Sequence, residues 1–151
     1  MSDKQRFKLI PAVYLILRNE DKVLLLERQN TGYQDGMRSL VAGHLNGGEL
    51  ATQAMIREAK EEAGITIRPE DLKLAYTTHR LSGDIENERV DLFFECSRWQ
   101  GEIQNIEPAK CSDLSWFSIQ SLPDNLIAHI KIVLTDIEQG KSFSEYTEEP
   151  A

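Results

Sequence analysis

Cysteine, histidine and basic charge are all scarce in this chain, and long apolar runs are missing. It has two cysteines and three histidines in 151 residues. Cys96, in an apolar run, and Cys111, in an expected loop, form neither a disulfide framework nor a zinc spacing and read as reduced thiols of an intracellular protein. Lysine and arginine number 17 against 25 acidic residues, a formal charge of −8. That balance excludes DNA or RNA as an extended partner, because gripping a phosphate backbone requires a basic patch. A small phosphorylated substrate held through a metal stays compatible. The apolar stretch near the N-terminus is too short to span a bilayer and no small-residue cleavage site follows it, so a cytoplasmic protein without membrane contact is expected. Repeats, linkers and low-complexity segments are absent too. An apolar content of 40% in a chain of this length suits one domain over residues 1–151 with a core of its own.

Segments 12–17 and 22–27 are apolar and β-prone, with Asn19, Glu20 and Asp21 between them, and read as a hairpin. Residues 28–35 form a polar loop, and 37–42 a short strand. Segments 72–81 and 89–98 read as two strands around the turn Ser82, Gly83, Asp84, and 115–119 as a last short strand. Residues 124–138, after Pro123, place Ile127, Ile130, Val133, Leu134 and Ile137 at helical spacing. The tail 142–151 is expected to fray.

The informative stretch is 43–65, GHLNGGELATQAMIREAKEEAGI. Residues 50–63 contain no Gly or Pro and are rich in helix formers, and Gly64 is a helix stop. At about 100° per residue, Glu58, Glu61 and Glu62 fall within an arc of roughly 100°, with the small Ala51 and Ala54 in or beside the same sector. Glu58 and Glu62, four apart, repel as bare charges by a few tenths of a kcal/mol. A hard divalent cation relieves that repulsion, since Mg²⁺ prefers carboxylate oxygens and commonly shares its shell with substrate phosphates. Arg57 can reach Glu61 at the i, i+4 spacing and hold a carboxylate in one orientation. A solvated charged face would suffice to explain REAKEE alone. It does not explain Gly43, Glu49 and Gly64 in register with it.

Gly43, Glu49, Arg57, Glu58, Ala59, Glu61, Glu62, Gly64 and Ile65 fill every specified position of the Nudix box. At ordinary residue frequencies such a match arises on the order of once per 10⁹ starting points. The chain therefore resembles the Nudix hydrolase superfamily, in its MutT-like branch. The resemblance implies an α/β fold, an α/β/α sandwich with a mixed β-sheet. It also implies cleavage within the diphosphate of a nucleotide, with Mg²⁺ (or Mn²⁺) as cofactor. Carried over by position, the metal ligands are Glu58, Glu61, Glu62 and the carbonyl of Ala42. Many relatives have Pro-Gly-Gly where this chain has Ala42, Gly43 and His44, a change that a carbonyl ligand tolerates.

The catalytic group then comprises Glu58, Glu61, Arg57 and a general base, either a box glutamate or a later-loop glutamate. Of Glu102 and Glu107 the second is favoured, because it precedes the Trp116–Phe117 strand as the loop glutamate does in MutT-like relatives. Arg28, Tyr33 and Arg80 are candidate substrate contacts. Asn125 is either a base contact or, beside Pro123, a helix cap. The expected partner is a small-molecule nucleotide, and a homodimer is left open. A nucleoside triphosphate or related nucleoside diphosphate derivative is the leading substrate. The alternatives are nucleotide sugars, dinucleotides, or a non-hydrolytic nucleotide-sensing role.

Overall fold

The computed structural model describes residues 4–83 and 85–148. Its centre is β1 (Ile10–Asn19), whose side chains alternate between two cores. Val13, Leu15 and Leu17 enter one, while Ala12, Tyr14 and Ile16 enter the other. β2 (Lys22–Arg28) divides likewise, Leu24 and Leu26 to the first core and Val23 and Leu25 to the second. The period of two in a strand makes this unavoidable once both faces are covered.

The first core is closed by α1 (Ala51–Ala63), through Ala54, Met55, Ala59 and Ala63. The second is closed by α2 (Ala128–Glu138), through Ile130, Val133 and Leu134. Helices on both faces of the sheet give the expected α/β/α sandwich.

The sheet is mixed. β3 (Arg38–Ser39), β2, β1, β6 (Arg89–Cys96), β5 (Lys73–Leu81) and β8 (Phe143–Thr147) run in that order, with β4 (Val41–His44) also on β1 and β7 (Cys111–Ser118) also on β2. β1 is parallel to β6 and β5 is parallel to β8, and the remaining pairs are antiparallel. The hairpin of β1 and β2 turns through Glu20, a non-glycine residue at φ 57°.

Four expectations need correction. Segment 37–42 is not one strand: β3 pairs with β2 and β4 with β1, so the chain changes partner at Leu40. Cys111 lies in no loop but begins β7, buried. The second helix starts at Ala128, not at 124, because Asn125 and Ile127 are engaged by β3: the Arg38 amide donates to the Asn125 carbonyl, and the Ile127 amide donates to Arg38. The expected frayed tail contains β8, held by main-chain pairing to β5 from Thr77↔Phe143 to Leu81↔Thr147. Asp84 and residues 149–151 lie outside the described residues.

Candidate active site

The short β4 and the helix α1 face each other, and two box features make that approach possible. Gly43 has no side chain, and a Cβ there would stand 2.2 Å from Cδ of Glu58. One turn further along, the Ala42 amide donates to Glu62 Oε2 at 3.0 Å. Glu58 and Glu62 of the acidic arc thus point at β4, while Glu61 is exposed.

Both ends of α1 are organised by its neighbours. At the N-terminus Gln53 Oε1 accepts from the Leu50 amide at 2.8 Å, satisfying a donor that the helix leaves free. At the C-terminus Gly64 adopts φ 70°. The amides of Gln104 and Ile106 then donate to the carbonyls of Ala63 and Glu62. This pins the loop that carries Glu107 to the end of the acidic helix.

Arg57 is the organising cation. Its strongest pairing is with Glu49, which accepts at 2.8 and 3.3 Å, and it also donates to Glu58 at 2.7 Å, Glu61 at 3.4 Å and the carbonyl of His44 at 3.1 Å. Sequence reasoning anticipated only the Glu61 contact, the longest of the side-chain pairs. Glu49 accepts from the Asn46 amide as well, at 2.9 Å. Its hydrogen bonds to Arg57 and Asn46 hold its carboxyl below the usual range, and in turn they keep the Arg57 guanidinium firmly charged.

Glu58, Glu61, Glu62 and Glu107 line one cavity of about 460 Å³, with Arg28 and Lys110 among its other walls. Burial, then the charge of Glu58, pushes the Glu62 carboxyl up to about 8. Burial also raises Glu58, against the opposing pull of Arg57. Glu107 makes a small contribution to both shifts, which places its charge within electrostatic reach. Glu102 is exposed and is not in the cavity wall.

Such a cavity is short of positive charge, and its carboxylate oxygens are the donor set of a hard divalent cation. On that chemistry the residues fit Mg²⁺ or Mn²⁺. Among the described residues, no three acidic, imidazole or thiol groups stand already gathered as a ligand set. Arg57 holds Glu58 and the Ala42 amide holds Glu62, so these carboxylates must turn to share an ion.

A second cavity of about 330 Å³ adjoins the first and shares Arg28 with it. Tyr33, Arg80 and Ala42 from the sequence reading line it, together with Tyr14, His44 and Arg89, which that reading did not assign to substrate. Arg28 Nε donates to the Tyr33 carbonyl at 2.8 Å, and its guanidinium lies 5.4 Å from the Tyr33 ring centroid. Arg89 meets His44 Nε2 at 2.9 Å. Burial, then Arg89, pushes the His44 pKa down, so the imidazole accepts as the neutral form. Arg80 is almost wholly buried and donates to Asp91 at 3.0 Å. An aspartate within the apolar run of β6 was the signal for this pair, since a buried carboxylate requires a partner.

Asn125 lies in neither cavity wall. Its amide donates to the Gly36 carbonyl at 3.1 Å and to Glu27 at 3.4 Å, tying the segment before α2 to the loop 29–36. Nor does it cap α2, whose N-cap position is Ile127.

A family model described as NUDIX domain matches residues 8–136. An ADP-ribose pyrophosphatase of Methanocaldococcus jannaschii is 29% identical over 132 residues, covering 86% of this chain and 75% of that protein. A NAD-capped RNA hydrolase of Vibrio atlanticus is 26% identical over 129 residues, covering 78% of this chain but only 40% of its own length. Among solved structures, a MutT NUDIX hydrolase from Burkholderia pseudomallei superposes with a TM-score of 0.77 at 22% identity, covering 85% of this chain and 97% of that one. That likeness concerns the fold.

Proposed function

The chain belongs to the Nudix family, and from that premise we propose that it hydrolyses the diphosphate of a nucleoside triphosphate or a related nucleoside diphosphate derivative. The observation that supports this most is the pairing of an acidic cavity with an arginine- and tyrosine-lined one, with Arg28 in the wall of both. Phosphates belong in the first and the nucleoside in the second.

Glu58, Glu61, Glu62 and the Ala42 carbonyl would hold Mg²⁺ or Mn²⁺. When bound, such a cation supplies charge neutralisation at the phosphates and a more acidic water. Arg57 ties Glu49 to the His44 carbonyl at the end of β4, so the ligand-bearing helix and strand keep one spacing while Glu58 turns to the ion. Glu107 takes the proton of the attacking water as general base. Arg28 meets the phosphates between the cavities, while Tyr33 offers a ring to the nucleoside.

A second reading, a nucleotide-sugar or dinucleotide pyrophosphatase, is favoured by the names of the two relatives, an ADP-ribose pyrophosphatase and a NAD-capped RNA hydrolase. Incubation with Mg²⁺ and a panel of triphosphates, nucleotide sugars and dinucleotides, with products separated by chromatography, decides between them. Inertness toward the whole panel would replace hydrolysis with a sensing role. On any substrate found, Glu107→Gln is expected to lower kcat by about 10²-fold with little change in KM, as for a positioned base. Glu102→Gln, its control, should leave kcat unchanged, and equal, negligible losses in the two variants would return the base to the box.

A further inference from the structure

The segment after β8 places Glu148 between two residues of the second cavity. Glu148 Oε1 accepts from Arg80 Nη1 at 2.5 Å and from the Tyr33 hydroxyl at 3.3 Å. β8 makes this placement firm, since its parallel register with β5 sets Tyr146 opposite Arg80 and Thr147 opposite Leu81, and the Glu148 amide donates to the Leu81 carbonyl at 2.8 Å. Arg80 also donates from Nε to Asp91 and from Nη2 to the Tyr14 hydroxyl at 3.5 Å. One guanidinium therefore meets two carboxylates, of which Asp91 is fully buried and Glu148 is the accessible one.

The other arginines of the cavity are engaged as well. Arg28 bonds to Thr31 and the Tyr33 carbonyl, and Arg89 to His44. A phosphate entering beside Arg80 would have to displace Glu148 and would meet its negative charge on the way.

We propose that Glu148 is a specificity-determining residue: by occupying the outward donor of Arg80 it biases the second cavity toward a nucleotide whose ribose carries only the scissile phosphate chain, and against one that carries an additional phosphate on its ribose. This rests on the reading that the second cavity takes the nucleoside. Selectivity of this kind comes from a repulsive group placed against the wrong ligand as much as from attraction to the right one.

Glu148→Gln keeps the size and a hydrogen bond to Tyr33 while removing the charge. Calorimetric affinities of the full chain in Mg²⁺, for AMP and for AMP with a second phosphate on its ribose 2′-hydroxyl, test the proposal without turnover. In Glu148→Gln the ratio of affinities is expected to move toward the doubly phosphorylated nucleotide by about tenfold, the worth of one charge-assisted hydrogen bond regained. Tyr33→Phe, which releases the rim but leaves Arg80 covered, should keep the wild-type ratio. A purely structural role for Glu148 would weaken both nucleotides together. A ratio in Glu148→Gln within twofold of wild type, or no binding of either nucleotide to either protein, would overturn the proposal. Absence of turnover with these affinities intact would count against hydrolysis alone.

Discussion

At Gly43 an added methyl group would stand 2.2 Å from Cδ and Oε1 of Glu58 and 2.7 Å from its Cγ. The far end of a glutamate can swing aside cheaply, so Gly43→Ala should fold with a melting temperature within a few degrees of wild type. Glu58 would then leave both Arg57 and the cavity, and misplacement of a site group by about 1 Å costs on the order of 10²-fold. A kcat within threefold of wild type would show that Glu58 does not act from this position. Glu62 makes a different claim. Its carboxyl titrates near 8 in the folded chain against an ordinary 4.5, so between those pH values the folded state binds the extra proton. Stability is therefore lost as pH rises through that window. In metal-free protein, the melting temperature of Glu62→Gln minus that of wild type should grow from pH 5 to pH 8, and a constant difference would refute the assigned environment. Both residues were legible because the box is local: spacing within one helix and the turn before it determines what they face. Tyr14, Arg89 and Glu148 were not, since each reaches the second cavity from a different strand or from the chain beyond β8, and only pairing registers bring them together.

α1 shows how an element can be correct in sequence and incomplete in meaning. Its limits and acidic face follow from composition, yet the helix also carries the loop of Glu107 through the carbonyls of Glu62 and Ala63. Gly64 joins the two roles, since its φ of 70° reverses the chain and a Cβ there would lie 3.1 Å from Ile106 Cδ1. Gly64→Ala should cost about 1–2 kcal/mol for the left-handed backbone and should also lower kcat by shifting Glu107. Chemical denaturation and steady-state kinetics check the two halves separately, and a stability loss with unchanged kcat would separate the cap from the base. β8 and the start of α2 escaped the sequence reading for a related reason. FSEYT is a weak strand signal alone, and its order comes from pairing with β5. Residues 124–127 continue a helical pattern, but β3 takes their backbone groups first.

For the whole molecule, a charge of −8 surrounds a cavity that concentrates four glutamates, so a divalent cation should stabilise the fold by occupying that cavity. At a hundredfold excess over Kd the gain is about 2.7 kcal/mol. A nucleotide should add to it only in the presence of metal, and a melting-temperature rise produced by nucleotide in EDTA would contradict the order of binding. No helix among the described residues is long and apolar enough to cross a membrane. The parallel ladder of β1 and β6 gives this stabilisation a direction in time. Ile10 lies opposite Arg89 and Leu17 opposite Cys96, pairs about eighty residues apart in the chain. A helix such as α1 can form in about a microsecond, whereas so distant a pairing is slow to close. Interactions absent from the transition state act on unfolding, not on folding, so a divalent cation in this cavity should work as a lock on a finished molecule: stopped-flow kinetics with and without Mg²⁺ are expected to show slower unfolding and an unchanged refolding rate.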